Sequence, residues 1–398
     1  MSQNISIGID IGTSTTRVVV LQDISEIENN KSPKVFATAE APSKGLRHGY
    51  VTNVSEASKG IRTALKSIEK NLIGIKPPKI CISVGGVGLG GNVFQSTIPL
   101  SKSELEVTDS DIAKASESGR SDMPQAFALN RRVIHGFPLQ YKIDGRVILG
   151  KPLGLKGSRL ESRTLFITSL NTHINSVLEA IEDAGFEVED IVSSPIARGN
   201  FLLSKAEKIA GVALLDIGLE TTSLVVYENG LPISLEVFPV GSNDITNDIA
   251  LGLKISLGEA EEIKKGIVGR IEYPKKKLDE IINSRLSNIF NLVETHLKKL
   301  GRNGLLPAGI VLCGGGSEIA HIEAIAKSVL KLPSRRVEER IDNGSRGQIK
   351  ISEWAAAYGA ALFSLSNTDE ESFGLKQSIA LSKRAGKGMW EWIKQFLP

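Results

Sequence analysis

The sequence predicts a two-lobed α/β protein, and three observations support this fold class. The stretches IDIGTSTTRVVVLQ at 9–22 and LDIGLETTSLVVY at 215–227 are closely similar. Each reads as an apolar strand, Asp-Ile-Gly, a hydroxyl-rich turn and a second apolar strand. The chain has 398 residues, of which 41% are hydrophobic, whereas single cores stop growing near about 250–300 residues. The duplicated motif therefore indicates one copy in each of two lobes.

The first lobe is predicted to consist of residues 1–85 and 166–200, on either side of an insertion. Strands and helices follow each other as in a layered α/β domain, and the first helix carries apolar residues at helical spacing on one face. The predicted strands are 6–10, 17–22, 35–41, 79–85, 166–170 and 188–193, the helices are 55–72 and 174–184, and the apolar face of the first helix is Ala57, Ile61, Ala64, Leu65, Ile68 and Leu72.

The insertion, residues 86–165, has a different texture from the segments around it. It contains strand-like segments with several glycines, and a short helix is predicted at 108–118. We interpret it as an α+β subdomain inserted into the first lobe.

The second lobe repeats the plan of the first and is followed by a tail. A helical or mixed helical and β subdomain is predicted within it, broken near 266–274, and a strand leads through GGGS into a helix expected to start at Ile319. A polar stretch rich in Ser, Gly and charge is typical of a linker. The predicted parts are the second lobe core at 201–244 and 306–365, its subdomain at 245–305, the linker at 366–382 and a C-terminal amphipathic helix at 383–398.

Composition narrows the range of functions and compartments. A net charge of +3 and a pI near 8.6 are too weak to indicate nucleic-acid binding. Cys81 and Cys313 each follow an apolar run and precede glycines, so we interpret them as buried strand-end thiols of a protein from a reducing compartment. No run approaches about 18 uninterrupted apolar residues, and the first apolar run carries Asp10 without a basic leader. We expect a soluble, cytoplasmic body.

The two Asp-Ile-Gly turns are candidate phosphate-binding sites. Glycine lets the backbone approach a ligand closely, and consecutive hydroxyls and amides can surround phosphate oxygens. An aspartate at a strand end can hold hydrated Mg²⁺. One copy alone would more often be a capped hairpin without a ligand, but two copies facing each other would clamp a triphosphate and its metal. The candidates are Asp10, Gly12, Thr13, Ser14 and Thr15 in the first turn and Asp216, Gly218, Thr221 and Thr222 in the second, with Asp10 and Asp216 for Mg²⁺ through water.

The segment Gly314, Gly315, Gly316 and Ser317 is a candidate nucleoside site. Backbone without side chains can lie flat against a purine, and a following helix N-terminus favours anionic groups. Such turns often serve only tight packing, so the signal depends on its position after the two hairpins. The stretch GVGLGG at 86–91 lacks the G-x-G-x-x-G spacing, and no G-x-x-x-x-G-K-[ST] occurs, which excludes the Rossmann and P-loop motifs.

In their order these motifs resemble the superfamily of actin, sugar kinases and heat-shock chaperones, which has a ribonuclease H-like, actin-like fold. Further stretches resemble one branch, the FtsA family of bacterial cell-division proteins: SKGLRHGYVTNV, RRVIHGFPLQYKIDG, GLKGSRLESRTLFIT, PVGSNDITNDIALGL with AEEIKKG, and AGIVLCGGGSEI. They span most of residues 6–365 and include the insertion, which is specific to that family.

The resemblance implies ATP and Mg²⁺ as ligands and a set of binding partners. It assigns phosphate contacts to the two turns and adenosine contacts to Gly314, Gly315 and Gly316, with Glu261, Lys264 and Lys265 on the facing helix. A solvated helix face is the alternative interpretation of those last three. It further implies binding of the FtsZ C-terminal tail near Arg285, self-association into filaments to which the insertion contributes, and contacts with other division proteins.

Departures from the family pattern make rapid hydrolysis doubtful, and no residue is assigned as catalytic. Leu219 and Glu220 replace two glycines of the usual second turn, and Ser223 replaces an acid. Losing glycines restricts close backbone approach, and a carboxylate near a γ-phosphate repels it. Ser194-Pro195 stands where some hydrolysing relatives have an acid. We therefore expect ATP to be bound more reliably than it is cleaved.

The C-terminal stretch MWEWIKQFL predicts an amphipathic helix. At about 100° per residue, its apolar residues separate completely from the charged and amide residues. Such a helix suits the headgroup region of a membrane with anionic lipids; the alternative is docking on its own body or on a partner. The apolar face consists of Met389, Trp390, Trp392, Ile393, Phe396 and Leu397.

The sequence therefore predicts an ATP-binding, filament-forming adaptor of cell division. In the FtsA family the matching terminal helix anchors the protein, and through it the FtsZ filament, to the inner membrane, which implies a peripheral location on the cytoplasmic face at the division site. Two alternatives remain: a small-molecule kinase of the same superfold, and a pilus-assembly adaptor such as PilM. Neither would ordinarily need the tryptophan-rich tail.

Overall fold

The structure is a computed structural model that describes residues 5–23, 33–69, 79–100, 106–267, 273–342 and 348–366. The strands are β1 Ile5–Ile11, β2 Thr15–Gln22, β3 Lys34–Pro42, β4 Leu46–Arg47, β5 Tyr50–Val51, β6 Lys79–Val84, β7 Gly90–Pro99, β8 Arg131–Ile143, β9 Arg146–Ile148, β10 Arg159–Leu170, β11 Asp190–Ser193, β12 Val212–Ile217, β13 Thr222–Glu228, β14 Leu231–Phe238, β15 Ile310–Cys313, β16 Ser334–Arg336, β17 Arg340–Asp342 and β18 Gln348–Lys350.

The helices lie between these strands along the chain. They are α1 Val54–Glu69, α2 Asp109–Ser121, α3 Gln125–Ala128, α4 Asn171–Asp183, α5 Ser194–Leu202, α6 Lys205–Ala210, α7 Ser242–Leu253, α8 Leu257–Lys264, α9 Lys275–Lys299, α10 Ile322–Leu330 and α11 Ile351–Ser366. None of the helices in the described ranges combines the length and the apolar character that crossing a membrane requires.

Two five-stranded sheets with the same topology form the two lobes. The first has the order β11-β6-β1-β2-β3 and the second has the order β14-β13-β12-β15-β16. In each sheet an antiparallel meander of three strands continues through parallel strands on the other side of the first strand. This duplication confirms the two-lobed α/β fold class that the repeated motif predicted.

The insertion forms a separate antiparallel sheet with the order β7-β10-β8-β9. Helix α2 covers it, begins with a capping box in which Thr108 accepts from the Asp111 amide, and buries Ile112 and Ala115 against Leu160. β10 pairs with β7 from Arg159 to Thr168 and with β8 from Leu160 to Leu170. The expectation that residues 166–170 resume a strand of the first lobe is therefore wrong, because they complete a strand of the inserted sheet.

Helix α11 fixes the position of α5 between the lobes. The two helices cross so closely that a Cβ on Gly359 would lie 2.1 Å from the Ala197 carbonyl oxygen, which excludes larger residues there. Buried residues of both lobes, such as Ile9 from β1 and Leu214 from β12, belong to one continuous apolar core. A second core lies on the other face of the second sheet, under α7, α9 and α10.

Several predicted boundaries change. The helix expected from Ile319 starts at Ile322, after a 3₁₀ turn at Gly315–Glu318. The described part of 245–305 contains the three helices α7, α8 and α9 and no strand. Leu72, the tail helix 383–398 and all of the linker 366–382 except its first residue lie outside the described residues.

Candidate functional site

The two Asp-Ile-Gly turns are hairpins of the same geometry at equivalent positions of the two sheets. In the first, the Gly12 amide donates to the Thr15 carbonyl at 3.2 Å, and in the second the Gly218 amide donates to the Thr221 carbonyl at 2.8 Å. A Cβ on either glycine would lie about 3 Å from that same carbonyl oxygen, at 3.0 and 3.1 Å. A larger residue at either position would therefore crowd the carbonyl that closes the turn.

Arg198 joins the aspartates of the two turns. Its Nη2 lies 3.5 Å from Asp10 Oδ2, and its Nε lies 3.0 Å from Asp216 Oδ2. The three side chains are 10%, 10% and 14% exposed. Arg198 comes from the middle of α5, where Nη1 also donates to the Ser352 carbonyl of α11 at 3.3 Å. The structure thus brings Asp10 and Asp216 together, with a buried guanidinium between them.

Charge and burial act against each other in this cluster. Burial alone would lower the pKa of Arg198, but Asp216 and Asp10 raise it above the ordinary arginine value. Burial raises the pKa of Asp216, while Arg198 opposes that rise and Asp10 adds to it. Two carboxylates share one guanidinium, so the cluster carries a net charge of −1 when all three groups are ionised.

The aspartates do not fit a metal ion as they stand. Asp10 Oδ1 accepts from the Ser83 hydroxyl at 2.6 Å and Asp10 Oδ2 faces Arg198, while Asp216 Oδ2 faces the same arginine. Mg²⁺ requires free oxygen ligands in near-octahedral array. In the part of the chain that the structure describes, no group of three or more His, Cys, Asp or Glu residues is arranged to hold a metal.

A loop of the first lobe contacts both turns. The His48 amide donates to Glu220 Oε2 at 2.5 Å, and His48 Nδ1 lies 3.2 Å from the Glu220 carbonyl oxygen. The next amide, that of Gly49, donates to Thr13 Oγ1 at 3.2 Å. His48 and Gly49 both have positive φ, at 48° and 78°. Glu220, expected to face a phosphate, here accepts a hydrogen bond from the opposite lobe.

Helix α7 supports the second turn from behind. The Ser242 amide donates to the Gly218 carbonyl at 2.9 Å, and the Asn243 amide donates to the Leu219 carbonyl at 2.8 Å. The first amides of a helix have no partner within the helix, so the turn satisfies two of them. A Cβ on Gly241 would lie 2.5 Å from the Leu219 carbonyl oxygen, so the turn and the start of α7 are in direct contact.

An ion-pair cluster against α7 is formed by Glu261 and Lys264 of α8 and by Lys265, the residue directly after that helix. Lys264 Nζ lies 2.6 Å from Glu261 Oε2 and donates to the Ser242 carbonyl at 3.1 Å. Lys265 Nζ lies 3.2 Å from Glu261 Oε1, and Thr246 donates to Glu261 Oε2. Burial lowers the pKa of Lys264, with Glu261 opposing. Lys264 is 6% exposed, so it is not part of a solvated helix face; through Ser242 it is linked to the second turn.

The three glycines of GGGS differ in what requires them. A Cβ on Gly314 would lie 2.2 Å from Asp216 Oδ1, and one on Gly316 would lie 2.4 Å from Ile217 Cγ2. Both glycines are therefore explained by packing against the second turn. A Cβ on Gly315 would meet nothing within 4 Å. Ser317 is buried, and its hydroxyl donates to the Gly314 carbonyl at 2.7 Å, so its role is to shape the turn.

Arg285, predicted to bind a partner, contacts helix α7 and neither of the two turns. Arg285 on α9 makes a two-pronged pair with Asp248 on α7, at 2.6 and 2.9 Å, and Asp248 raises the pKa of Arg285. The predicted membrane residues, Met389, Trp390, Trp392, Ile393, Phe396 and Leu397, lie outside the described residues.

Sequence reasoning missed Arg198 and His48. A signal for Arg198 existed: it is the only charged residue in the helix SPIARGNFL, between small and apolar residues, and buried charges in folded proteins are paired. The sequence RHGY around His48 carried no comparable signal, because its contact with Glu220 depends on how the two lobes meet.

Two family models match the chain. The one described as "Cell division protein FtsA" matches residues 213–359, and the one described as "SHS2 domain inserted in FTSA" matches residues 89–168. The FtsA protein of Bacillus subtilis is 30% identical over 82% of this chain and 76% of its own length. That of Neisseria meningitidis is 30% identical over 88% of each chain, and that of Escherichia coli is 26% identical over 98% and 96%.

Solved structures share the actin-like fold. A chain of the PilM-PilN type IV pilus biogenesis complex aligns with a TM-score of 0.64 at 20% identity, covering 90% of this chain and 97% of that one. MreB5 of Spiroplasma citri bound to ADP aligns with a TM-score of 0.54 at 14% identity, covering 93% and 99%. At these identities the likeness establishes the fold alone.

Proposed function

Because this chain belongs to the FtsA family of cell division proteins, we propose that it binds ATP in the cleft between its lobes, self-associates, and links FtsZ filaments to the membrane. The proposed location is the cytoplasmic face of the membrane at the division site, where further division proteins bind. The inserted subdomain supports this choice over a small-molecule kinase of the same fold, since the insertion matches a domain described for FtsA.

The convergence of the two turns is the observation that supports ATP binding most. Asp10 and Asp216 belong to different lobes, yet both contact the side chain of Arg198. Amides and hydroxyls at such turns suit phosphate oxygens. Of the residues predicted for phosphate contact, Gly12 and Gly218 already use their amides to close the turns, and Thr222 is buried with its hydroxyl donated to the Val240 carbonyl. The proposed phosphate contacts are therefore Thr13, Ser14 and Thr15 from the first lobe and Thr221 from the second.

The adenosine is proposed to lie beside Gly314, Gly315 and Gly316. Of these, Gly315 has open space where a side chain would be. Glu261 is already paired with Lys264 and Lys265, so a ribose hydroxyl would add to an existing charged network. Hydrolysis is proposed to be slow, well below about 10 s⁻¹, because Glu220 places a carboxylate at the second turn.

Replacing Gly315 tests the nucleotide site. Gly315→Val should leave folding intact and weaken ATP binding by at least about tenfold, which is roughly 1.4 kcal/mol, because the new side chain fills open space beside the turn. Gly90→Val on β7 is the matched control, since a Cβ on Gly90 would come no closer than 4.0 Å to its nearest neighbour, the end of the Arg131 side chain, and β7 belongs to the inserted sheet. Equal ATP affinity of the wild type and the Gly315 variant by calorimetry would remove this glycine from the site.

Membrane linkage is proposed from the family and the tail sequence. The test is co-sedimentation of the full chain with vesicles containing anionic lipid, against a chain that ends at Ser382. The full chain should pellet with the vesicles and the shortened chain should stay in solution, because lipid binding by such helices depends on their apolar face. If both chains pellet equally little, the adaptor function loses its main support.

The FtsZ tail is proposed to bind near Arg285. The pair with Asp248 orients the Arg285 guanidinium. An acidic peptide carboxylate would have to compete with Asp248 for it. Arg285→Ala should therefore weaken binding of the FtsZ tail peptide, with Arg302→Ala as the control, since Arg302 makes a similar two-pronged pair with Glu228 elsewhere on the lobe. Equal peptide affinity in both variants would place the tail site elsewhere.

A further inference from the structure

Arg198 lies where a divalent cation would have to lie to bind both aspartates. Mg²⁺ in nucleotide sites is usually held by one or two carboxylates together with substrate phosphates and water. The two carboxylates able to do this, Asp10 and Asp216, both face the guanidinium of Arg198. That guanidinium is charged at every relevant pH, and its side chain is 10% exposed.

We propose that Arg198 is a built-in cation that replaces the metal between the aspartates, so that ATP binds in this cleft without a divalent ion. The proposal rests on the proposed ATP binding and concerns which cation accompanies the nucleotide. Arg198 neutralises one of the two carboxylates, which reduces their repulsion of the phosphates.

The arginine also retains capacity to contact a ligand. Arg198 Nε is buried and lies 3.0 Å from Asp216 Oδ2, but it lacks the alignment of a hydrogen bond and has no hydrogen-bond partner. Buried donors are seldom left without an acceptor. A phosphate oxygen entering between the turns supplies one, and guanidinium groups match phosphate geometry well.

A purely structural ion bridge is the competing explanation for Arg198. It would hold the lobes together and leave the metal requirement of ATP binding unchanged. The two explanations therefore differ in what metal removal does to the wild-type protein, and in whether removing the arginine creates a metal site.

The first experiment measures ATP affinity of the wild-type chain by calorimetry, in excess MgCl₂ and in EDTA. The Kd should differ by less than about threefold, because no metal is needed between the aspartates. A loss of about tenfold or more in EDTA would overturn the proposal while leaving ATP binding in place. Absence of binding in both conditions would instead contradict the proposed function.

The second experiment uses MgCl₂ or MnCl₂ alone, without nucleotide, and reads thermal unfolding. Arg198→Ser leaves Asp10 and Asp216 as an unneutralised pair, so the metal should raise its Tm by several degrees, as any ligand of the folded state does. The wild type should show no such rise. Arg302→Ser, which frees the single carboxylate of Glu228, is the matched control and should not respond either.

The metal experiment also has results that would contradict the built-in cation. Equal metal stabilisation of the wild type and the Arg198→Ser variant, or none in a folded Arg198→Ser variant, would overturn the proposal. If Arg198→Ser does not fold even with metal, Arg198→Lys replaces it: lysine keeps the cation, so that variant should bind ATP equally well in EDTA and MgCl₂, and a newly acquired metal requirement would count against the built-in cation.

Discussion

The two Asp-Ile-Gly turns are closed by equivalent backbone hydrogen bonds but have different support. In the first lobe, Asp10 lies opposite Ser83 on the neighbouring parallel strand, and the Ser83 hydroxyl donates to it at 2.6 Å. In the second lobe the equivalent position, opposite Asp216, is Cys313, a buried thiol whose pKa burial and Asp216 raise. Duplication therefore preserved the hairpin and changed the partner of its aspartate.

This difference makes the second turn depend on the first lobe. On the parallel strand β15 the residue opposite Asp216 is a cysteine, not a hydroxyl residue. The cation that contacts Asp216 is Arg198 at 3.0 Å, from a helix that directly follows strand β11 of the first sheet. Asp10 has the Ser83 hydroxyl and a longer contact, 3.5 Å, to the same arginine. The bridge thus connects the two lobes, and its shorter contact is the one to Asp216.

Asp216→Asn should have the largest effect on stability. It removes the shorter partner of Arg198. Leaving a buried charge without a partner costs about 3–5 kcal/mol in the free energy of unfolding, and because Asp10 stays 3.5 Å from the arginine, the loss should lie at or below the lower end of that range. Asp10→Asn should cost less, because Asp216 still neutralises the arginine. Urea unfolding of both variants, with equal slopes, measures the two losses.

Glu228→Gln is the control for these variants, because its pair with Arg302 is more exposed, at 29% and 35%. Exposed pairs contribute about 0–1 kcal/mol, so this variant should remain close to the wild type. A loss in Asp10→Asn equal to or larger than that in Asp216→Asn would show that the shorter contact is not the stronger one.

Glu220→Ala should have an intermediate effect, since it removes the second contact between the lobes. The lost hydrogen bond from the His48 amide has a charged acceptor, and such bonds contribute about 1.5–3 kcal/mol; partial exposure places the expected loss near the lower end. Glu220→Gln keeps an acceptor oxygen and should lose less. Urea unfolding compares the two, and ATP affinity should rise in Glu220→Ala because a carboxylate leaves the site.

Equal stability of Glu220→Ala and the wild type would mean that the loop at His48 does not hold the lobes together. Lower ATP affinity in Glu220→Ala would contradict the proposed repulsion between the Glu220 carboxylate and the phosphates.

Thr13→Val tests the first turn by the same urea unfolding measurement. The Thr13 hydroxyl accepts a hydrogen bond from the Gly49 amide of its own lobe, so the expected loss in the free energy of unfolding is smaller, about 1 kcal/mol.

Most of the fold could be predicted because its signals are local. The helix that contains Ala57, Ile61 and Ile68 is present, and those residues are buried. Predicted boundaries were wrong where tertiary structure decides them. Residues 166–170 have the pattern of a buried strand in either sheet, and only the pairing of β10 with β7 and β8 assigns them to the insertion. The helix after GGGS starts late because Gly315–Glu318 form a 3₁₀ turn against Ile217.

The candidate site was predictable only as a set of motifs. The aspartates and glycines could be found because the two hairpins repeat. Arg198 could not be assigned to them, because α5 must first be placed between the sheets by α11, and His48 requires the lobes to meet. The sequence also could not distinguish Gly315, which faces open space, from Gly314 and Gly316, which packing requires.

The smallest changes in stability are expected for the single substitutions Ser83→Cys and Cys313→Ser. They test the residues that lie opposite Asp10 and Asp216 on the parallel strands. Ser83→Cys replaces a hydroxyl donor of Asp10 by a weak thiol donor and should cost about 1 kcal/mol. Cys313→Ser offers Asp216 the hydroxyl that Asp10 has, so its gained hydrogen bond should offset the burial of a polar group and leave stability close to the wild type.

A double-mutant cycle of Cys313→Ser with Arg198→Ser measures how far Asp216 depends on the arginine. Arg198→Ser should lower the free energy of unfolding less in the Cys313→Ser background than in the wild type, because Asp216 then has a hydroxyl partner. Strict additivity of the two changes would mean that the strand neighbour does not determine how strongly Asp216 relies on the arginine.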